Sequence, residues 1–358
     1  MSTIFGALNL NDTDRVFQAT AGQVVIYDAV REYLDRYNAD MVAATSIFVE
    51  GTTTDHSERY KLPGSGKLQR RGIQSRTGEV KANAGWDVAF PLEDFGASFA
   101  ADDVTMAYMT VGDLDRHIQT VVNQDRNTRR HEILRALFNS TDGTFSDPLW
   151  GSLTIRRLAN GDSAVLFPPV LGTEAEATEQ HYLESGYAAS AISDTNNPYV
   201  TIRDELEEHF GAPTAGSDIV VFVNNAQRAK TEALTNFSEV EDRYVRLGTQ
   251  TDQTNGSLPS VPGRILGRVD GVWVVEWRWI PANYMVGIHL EAAKPLKMRI
   301  DPADTGLGSG LQLVAQDSDF PFTTSHWRHR FGLGVGNRLN GVVFELGTGG
   351  TYSVPSGY

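Results

Sequence analysis

Cysteine chemistry is closed to this chain. Its 358 residues contain no cysteine, which excludes disulfides, thiolate metal sites and cysteine nucleophiles. His326 and His329 form an HxxH pair, but zinc needs further ligands and none stands nearby at a telling spacing. His131-Glu132 lacks the second histidine of a metalloprotease helix. Gly64-Ser65-Gly66-Lys67 resembles the end of a phosphate loop, yet Leu68 follows where Ser or Thr is required and no strand precedes it. It reads as a loop turn. Gly332-Leu333-Gly334-Val335-Gly336 follows a strand, but Asn337 to Gly341 leads into another strand instead of a helix, which argues against a dinucleotide site. Alternate glycines there suit a bulged strand lying close to another backbone. No GxSxG nucleophile elbow is present. Carboxylates are plentiful, but sequence alone pairs no two of them as acid and base. No catalytic, cofactor-binding or metal residue is assigned, and this negative inventory favours a structural protein.

The element that organises the rest is Asp113 to Phe138, which reads as one helix capped by Thr110 or Asp113. It contains no Gly or Pro. Leu114, Ile118, Val121 and Val122 form one apolar group, and Ile133, Leu134, Leu137 and Phe138 another, each with helical spacing. Asn123 to Glu132 between them is wholly polar. At 1.5 Å per residue the helix spans roughly 39 Å. Two readings stand: a surface helix anchored at its ends, or a spine whose polar middle, with Arg126, Arg129 and Arg130, faces neighbouring subunits or a lumen.

The formal net charge is −14. A sequence-independent nucleic-acid binder draws its affinity from phosphate neutralisation and carries a basic excess, so this chain is not expected to coat DNA. An acidic inner wall would nonetheless suit a container for DNA, because it would not trap the contents. No apolar run is long enough to cross a bilayer, and the first residues show neither the basic nor the apolar region of a signal peptide.

In chain order, residues 1–23 suggest an extended arm. Val24 to Tyr37 reads as a short amphipathic helix and Ser46 to Glu50 as a strand. Gly51 to Phe90 is about forty residues with few large apolar side chains, too long for an ordinary loop. Between Asp55 and Lys81 it carries Arg59, Lys61, Lys67, Arg70, Arg71, Arg76 and Lys81 against three acids. Trp86 to Phe90 alternates like a strand returning to the body. Such a two-stranded excursion would reach roughly 60 Å, and an isolated hairpin is marginal in water. It is either a solvated, protease-sensitive loop or an arm that lies on another molecule. A matching surface exists between Glu174 and Phe210, where nine acids, among them Glu205, Glu207 and Glu208, face one base, Arg203. Complementarity of this kind steers association.

Farther on, LTIRRL and AVLFPPV are strand candidates separated by the hairpin signal Asn160-Gly161. Val200 to Gly211 reads as a helix stopped by glycine, Ile219 to Val223 as a buried strand, and Ala226 to Phe237 as a helix. Gly248 to Gly263 is an exposed loop. Arg264 to Ile280 is a hairpin turning at Asp270-Gly271, with Trp273, Val275, Trp277 and Trp279 on one face for core or intersubunit packing. Strands are expected in Tyr284 to Ile300, Thr323 to Val335 and Gly341 to Leu346. The fold class is α+β.

This order of parts resembles the major capsid protein of tailed bacteriophages, the HK97-type fold. The likeness covers nearly the whole chain. It is carried chiefly by Lys61-Leu62-Pro63-Gly64 through Trp86-Asp87-Val88-Ala89-Phe90-Pro91-Leu92, by Asp113 to Phe138, and by Leu158-Ala159-Asn160-Gly161-Asp162. The resemblance implies an N-arm (1–23), a peripheral domain (24–50, 91–155 and 285–335), an extended loop or E-loop (51–90), an axial domain (156–284) and a C-terminal strand and tail (336–358). It implies a virion protein, assembled in host cytoplasm from pentamers and hexamers around double-stranded DNA, with no cofactor and no membrane. Separate scaffolding, portal and decoration proteins would be its partners. The basic residues of the loop, the spine arginines and Glu205, Glu207 and Glu208 would make intersubunit contacts. The rival expectations are an encapsulin-type compartment of the same fold and, in another class, a soluble α+β hydrolase using Asp, Glu and His.

Overall fold

Five consecutive branched or aromatic residues, Ile219–Val223, form the strand around which the larger sheet is laid, and all five are buried. The computed structural model describes residues 23–61, 85–102, 110–162, 178–213, 218–239, 262–319 and 322–358, with 105, 108, 165 and 167–171 between them. In chain order the strands and helices are as follows. The helix α1 (Gln23–Thr45) precedes strands β1 (Val49–Thr53), β2 (Ser57–Lys61), β3 (Gly85–Ala89) and β4 (Glu93–Asp102). The long helix α2 (Val111–Phe138) leads to β5 (Gly143–Asp147), β6 (Gly151–Ile155) and β7 (Tyr182–Glu184). Next come α3 (Pro198–Phe210), β8 (Ile219–Val223), α4 (Arg228–Glu232) and β9 (Phe237–Glu239). The chain ends with β10 (Arg264–Val269), β11 (Val272–Glu276), β12 (Tyr284–His289), β13 (Leu296–Arg299), β14 (Gln312–Asp319), β15 (Phe322–Val335) and β16 (Val342–Glu345). Among the described residues no helix is long and apolar enough to cross a membrane.

The chain divides into two compact units. The larger comprises Met41–Glu93, Arg129–Leu307 and Phe331–Tyr358. Its seven-stranded mixed sheet has the order β7-β16-β12-β8-β11-β10-β9. Side chains alternate across a strand, so Ile219, Val221 and Val223 pack with Tyr199, Ile202 and Leu206 of α3. From the other face Phe222 meets Phe48, with ring centroids 4.9 Å apart, and Trp277 at 5.9 Å. Gly287 on β12 lets α3 approach, since a Cβ there would overlap Ile202. In the same unit β1 runs parallel to β13, and β13 pairs antiparallel with the end of β15. The alternate glycines behave as their spacing suggests. A Cβ at Gly332 would collide with the Pro91 carbonyl, and one at Gly334 with the Phe90 ring and the Ala89 carbonyl.

The smaller unit comprises Met1–Asp40, Asp94–Thr128 and Gly308–Arg330. Here β14 and β15 form an antiparallel ribbon, and β4 pairs with β15. Asn38 ties α1 to the ribbon by exchanging two hydrogen bonds with the backbone of Leu311 (3.0 and 3.2 Å). Asp125 of α2 accepts from Tyr37 Oη (2.8 Å) and lies 2.5 Å from His329 Nδ1.

Several elements differ from expectation. The first helix continues to Thr45, well past Tyr37, and the strand that follows begins at Val49. Asn160-Gly161 turns no hairpin. Asn160 bridges to Gln180, and the hairpin in this region is β5–β6, with Gly151 at φ 75°. The segment Ala226 to Phe237 is no continuous helix, because it breaks after Glu232 and enters β9. Strand β14 has no counterpart among the sequence-based expectations, whereas β8, the Asp270-Gly271 turn and β16 fall where the pattern put them.

Candidate functional site

The base of the basic excursion is a paired ribbon. Strands β2 and β3 are antiparallel, with Arg59 opposite Asp87, Tyr60 opposite Trp86 and Lys61 opposite Gly85. Arg59 forks onto Asp87 (2.5 and 2.7 Å) on the exposed side, and this holds the Asp87 carboxyl below its usual range. The other side grips the body. Tyr60 stacks on Trp86 at 5.8 Å, and the buried Trp86 donates its indole N–H to the Gly336 carbonyl (3.1 Å). Lys297 lies over Tyr60 and pairs with Glu58 at 2.8 Å. Burial lowers its pKa, but Glu58 and Tyr60 outweigh that and hold it above the ordinary lysine value. Lys67, Arg70, Arg71, Arg76 and Lys81 lie outside the described residues.

The three spine arginines have different surroundings. Arg126 lies over the Tyr37 ring (5.8 Å), Arg129 is buried over Phe331 (5.8 Å), and Arg130 lies over Trp279 (5.5 Å). The polar middle of α2 is therefore not an outward face throughout. Ile118, Val121, Val122, Asp125, Arg129, Ile133, Leu134 and Leu137 make one buried stripe with helical spacing. Asp125 and Arg129 fill the places that the apolar pattern leaves empty.

The acidic run is likewise less exposed than its composition suggests. Helix α3 starts at Asn197, whose side chain caps the Tyr199 N–H, with Pro198 in the first turn. It stops at Gly211, where φ is 76°. Its amphipathic turn buries Ile202 and Leu206 and leaves Glu205, Glu207 and Glu208 half-buried. The helix end meets the segment before β7, which two backbone hydrogen bonds hold in place: Gly161 N–H to the Glu179 carbonyl (2.7 Å) and His181 N–H to the Ala159 carbonyl (2.8 Å). This brings Glu179 against Glu208 and His209. The ring Nε2 of His209 lies 3.6 Å from Glu179 Oε2 and 3.6 Å from Glu208 Oε1. Its side chain is 3% exposed, and neither ring nitrogen makes a hydrogen bond.

The electrostatics follow from burial. Glu179 is pushed up to about 7 by burial and then by the charge of Glu208. Glu205 is pushed up to about 7 by burial, then by Glu208 and Glu179. Burial lowers His209 to about 4 and, with the neighbouring His209, lowers His181 to about 3. At neutral pH the imidazoles are uncharged, so they offer the carboxylates no counter-charge. Sequence reading placed Glu205 and Glu208 on an acidic surface matching the basic loop and did not single out Glu179 and His209 as their neighbours. The only sequence signal was a histidine after four acids in six residues.

The sequence matches no protein-family profile, and no curated protein matches it. Among solved structures, a chain titled Mycobacterium phage Patience aligns over 98% of this chain and 97% of its own, with a TM-score of 0.64 at 17% identity. A chain from the capsid of a native GTA particle aligns over 85% of this chain and 90% of its own, with a TM-score of 0.48 and 15% identity. One from the mature capsid of bacteriophage PhiM1 aligns over 81% and 82%, with a TM-score of 0.48 and 11% identity.

Proposed function

The chain has the α+β fold of the HK97 type, and we propose that it is the major capsid protein of a tailed double-stranded DNA bacteriophage. In this reading it is a tile that self-assembles into an icosahedral shell of pentamers and hexamers. The observation that supports it is the end-to-end correspondence of fold with the phage chain. The layout follows the sequence reading: an arm at 1–23, an extended loop at 51–90, a peripheral domain carrying the spine helix, an axial domain at 156–284, and a C-terminal strand and tail. The basic loop (Arg59, Lys61, Lys67, Arg70, Arg71, Arg76, Lys81) and the spine arginines contact adjoining copies, with Glu205, Glu207 and Glu208 among the receiving groups. The acidic balance of the whole suits a wall that encloses DNA without holding it. Separate scaffolding, portal and decoration proteins complete the particle.

The test is expression of the full chain followed by light scattering and negative-stain microscopy. Closed shells are expected. A stable monomer or dimer under all conditions, with hydrolytic turnover, would sink the proposal. For the loop, the deletion must respect the sheet: β1 pairs with β13, so removal from Gly51 would strip a strand from the body. Replacing residues 62–84 with a short turn spares β1, β2 and β3. That variant should stay folded and form no closed shells, and normal shells from it would refute the gripping role.

A further inference from the structure

We propose that Glu179, Glu208 and His209 form a divalent transition-metal site, of the zinc class, that clips the segment leading into β7 onto the C-terminal end of α3. A carboxylate oxygen from each glutamate and a ring nitrogen of His209 lie within 4.8 Å of one another. The buried imidazole carries the argument. Its side chain is 3% exposed, neither nitrogen has a hydrogen-bond partner, and Nε2 is equidistant at 3.6 Å from the two carboxylates. A buried polar group without a partner costs free energy. Hydrogen bonds to both oxygens would bring the ring to about 2.9 Å. The two spacings from the imidazole, 3.6 Å each, instead match ligand–ligand edges around a tetrahedral ion, which are about 3.3–3.6 Å for bonds of about 2.0–2.2 Å, and the carboxylate-to-carboxylate edge lies within 4.8 Å.

Charge points the same way. Two carboxylates face each other in a half-buried place, and among the described residues no Lys or Arg pairs with Glu179, Glu205 or Glu208. An imidazole with two carboxylates favours zinc over magnesium or calcium. Three protein ligands leave a fourth position for water. Glu179 and Glu208 are 29 residues apart in sequence, so an ion here would staple two separate stretches of chain. The inference concerns the folded subunit and stands apart from what the subunit assembles into.

The test uses the full chain, stripped with chelator and titrated with Zn2+ by calorimetry and native mass spectrometry, with Mg2+ as the control. One zinc per chain is expected, with a raised melting temperature. Glu208→Gln, at the more exposed ligand, should weaken uptake roughly 10- to 100-fold while circular dichroism stays unchanged. His209→Asn should do the same, and either folded variant suffices. Absence of uptake by the unaltered chain would overturn the site, as would uptake that both variants leave intact. If Glu179 and Glu208 merely share a proton, Glu208→Gln will raise the melting temperature without any zinc dependence, which also overturns it.

Discussion

Two buried guanidinium groups show how single residues hold this fold together. Arg338 has no exposed surface. It donates to the Arg157 carbonyl (2.6 Å), the Leu158 carbonyl (3.3 Å) and Asp162, and it lies over the Phe167 ring at 5.4 Å. Methionine would keep the stem but leave those acceptors without a donor, so Arg338→Met should cost about 3–5 kcal/mol, read as a lower urea midpoint. Arg338→Lys should recover only part, because one ammonium cannot reproduce the fork. Arg299 bridges the Phe90 carbonyl (3.0 Å) and Asp147 (2.9 Å). Burial pushes the Asp147 carboxyl up, but the Leu149 and Trp150 N–H groups and Arg299 outweigh it, and the net pKa lies below the ordinary value. The sign follows: the stabilisation is complete above the unfolded carboxylate range, near about 3.9, and fades as pH falls through it toward the folded pKa. Asp147→Asn should therefore be less stable at neutral pH, with a gap to the unaltered chain that narrows in acid. A gap independent of pH would show that the charge of Asp147 contributes nothing.

At the scale of elements, the long helix α2 begins with a reciprocal cap. The Asp113 N–H donates to Thr110 Oγ1 (3.2 Å), and the Thr110 N–H donates to Asp113 Oδ2 (3.2 Å). The pair satisfies donors that the first turn leaves open, and the aspartate also faces the positive end of the helix dipole. Thr110→Ala should cost about 1 kcal/mol, and hydrogen exchange should quicken in the first turns while residues near Phe138 stay protected. Uniform exchange along the helix would contradict this. The helix, its cap and its end at Phe138 were legible because they rest on local rules of propensity and capping. Strand β8 was legible because five branched or aromatic residues have one sensible place. The Asn160-Gly161 turn misled because the dipeptide favours a tight turn whether or not strands flank it, and here a long-range bridge from Asn160 to Gln180 decided the outcome. The extent of α1 exceeded its pattern because, beyond the short amphipathic stretch, Asn38 finds a tertiary partner and Met41 is buried. Arg129 read as an outward charge because sequence periodicity does not reveal a buried cation over an aromatic ring. The Glu179–Glu208–His209 cluster depends on two segments 29 residues apart, a distance across which composition carries no pairing information.

For the whole molecule, charge is distributed in a way that bears on assembly. The stretch from Asp55 to Lys81 carries seven basic residues against three acids, within a chain of net charge −14. The Arg59–Asp87 fork closes the base of this excursion within its own ribbon, and the Trp86–Gly336 hydrogen bond and the Lys297–Glu58 pair hold that ribbon to the body, so in the proposed shell the loop's other basic groups are the candidates to meet another subunit. Exposed opposite charges at an interface contribute little to final affinity but much to encounter rate and register. Their reach shrinks from about 10 Å at 0.1 M salt to about 3 Å at 1 M. Shell assembly, followed by light scattering, should thus slow as salt rises while the final particles keep the same size. Replacing Arg70 and Arg71 with Glu should slow assembly at low salt and remove most of the salt dependence. Glu207 is one of the acids on α3 that lie outside the proposed metal ligands, so Glu207→Lys in the same chain should restore part of the rate if α3 receives the loop. A rate indifferent to salt would remove electrostatic steering from the assembly path. A rate slowed by the arginine replacements and not restored by Glu207→Lys would place the receiving acids elsewhere than α3.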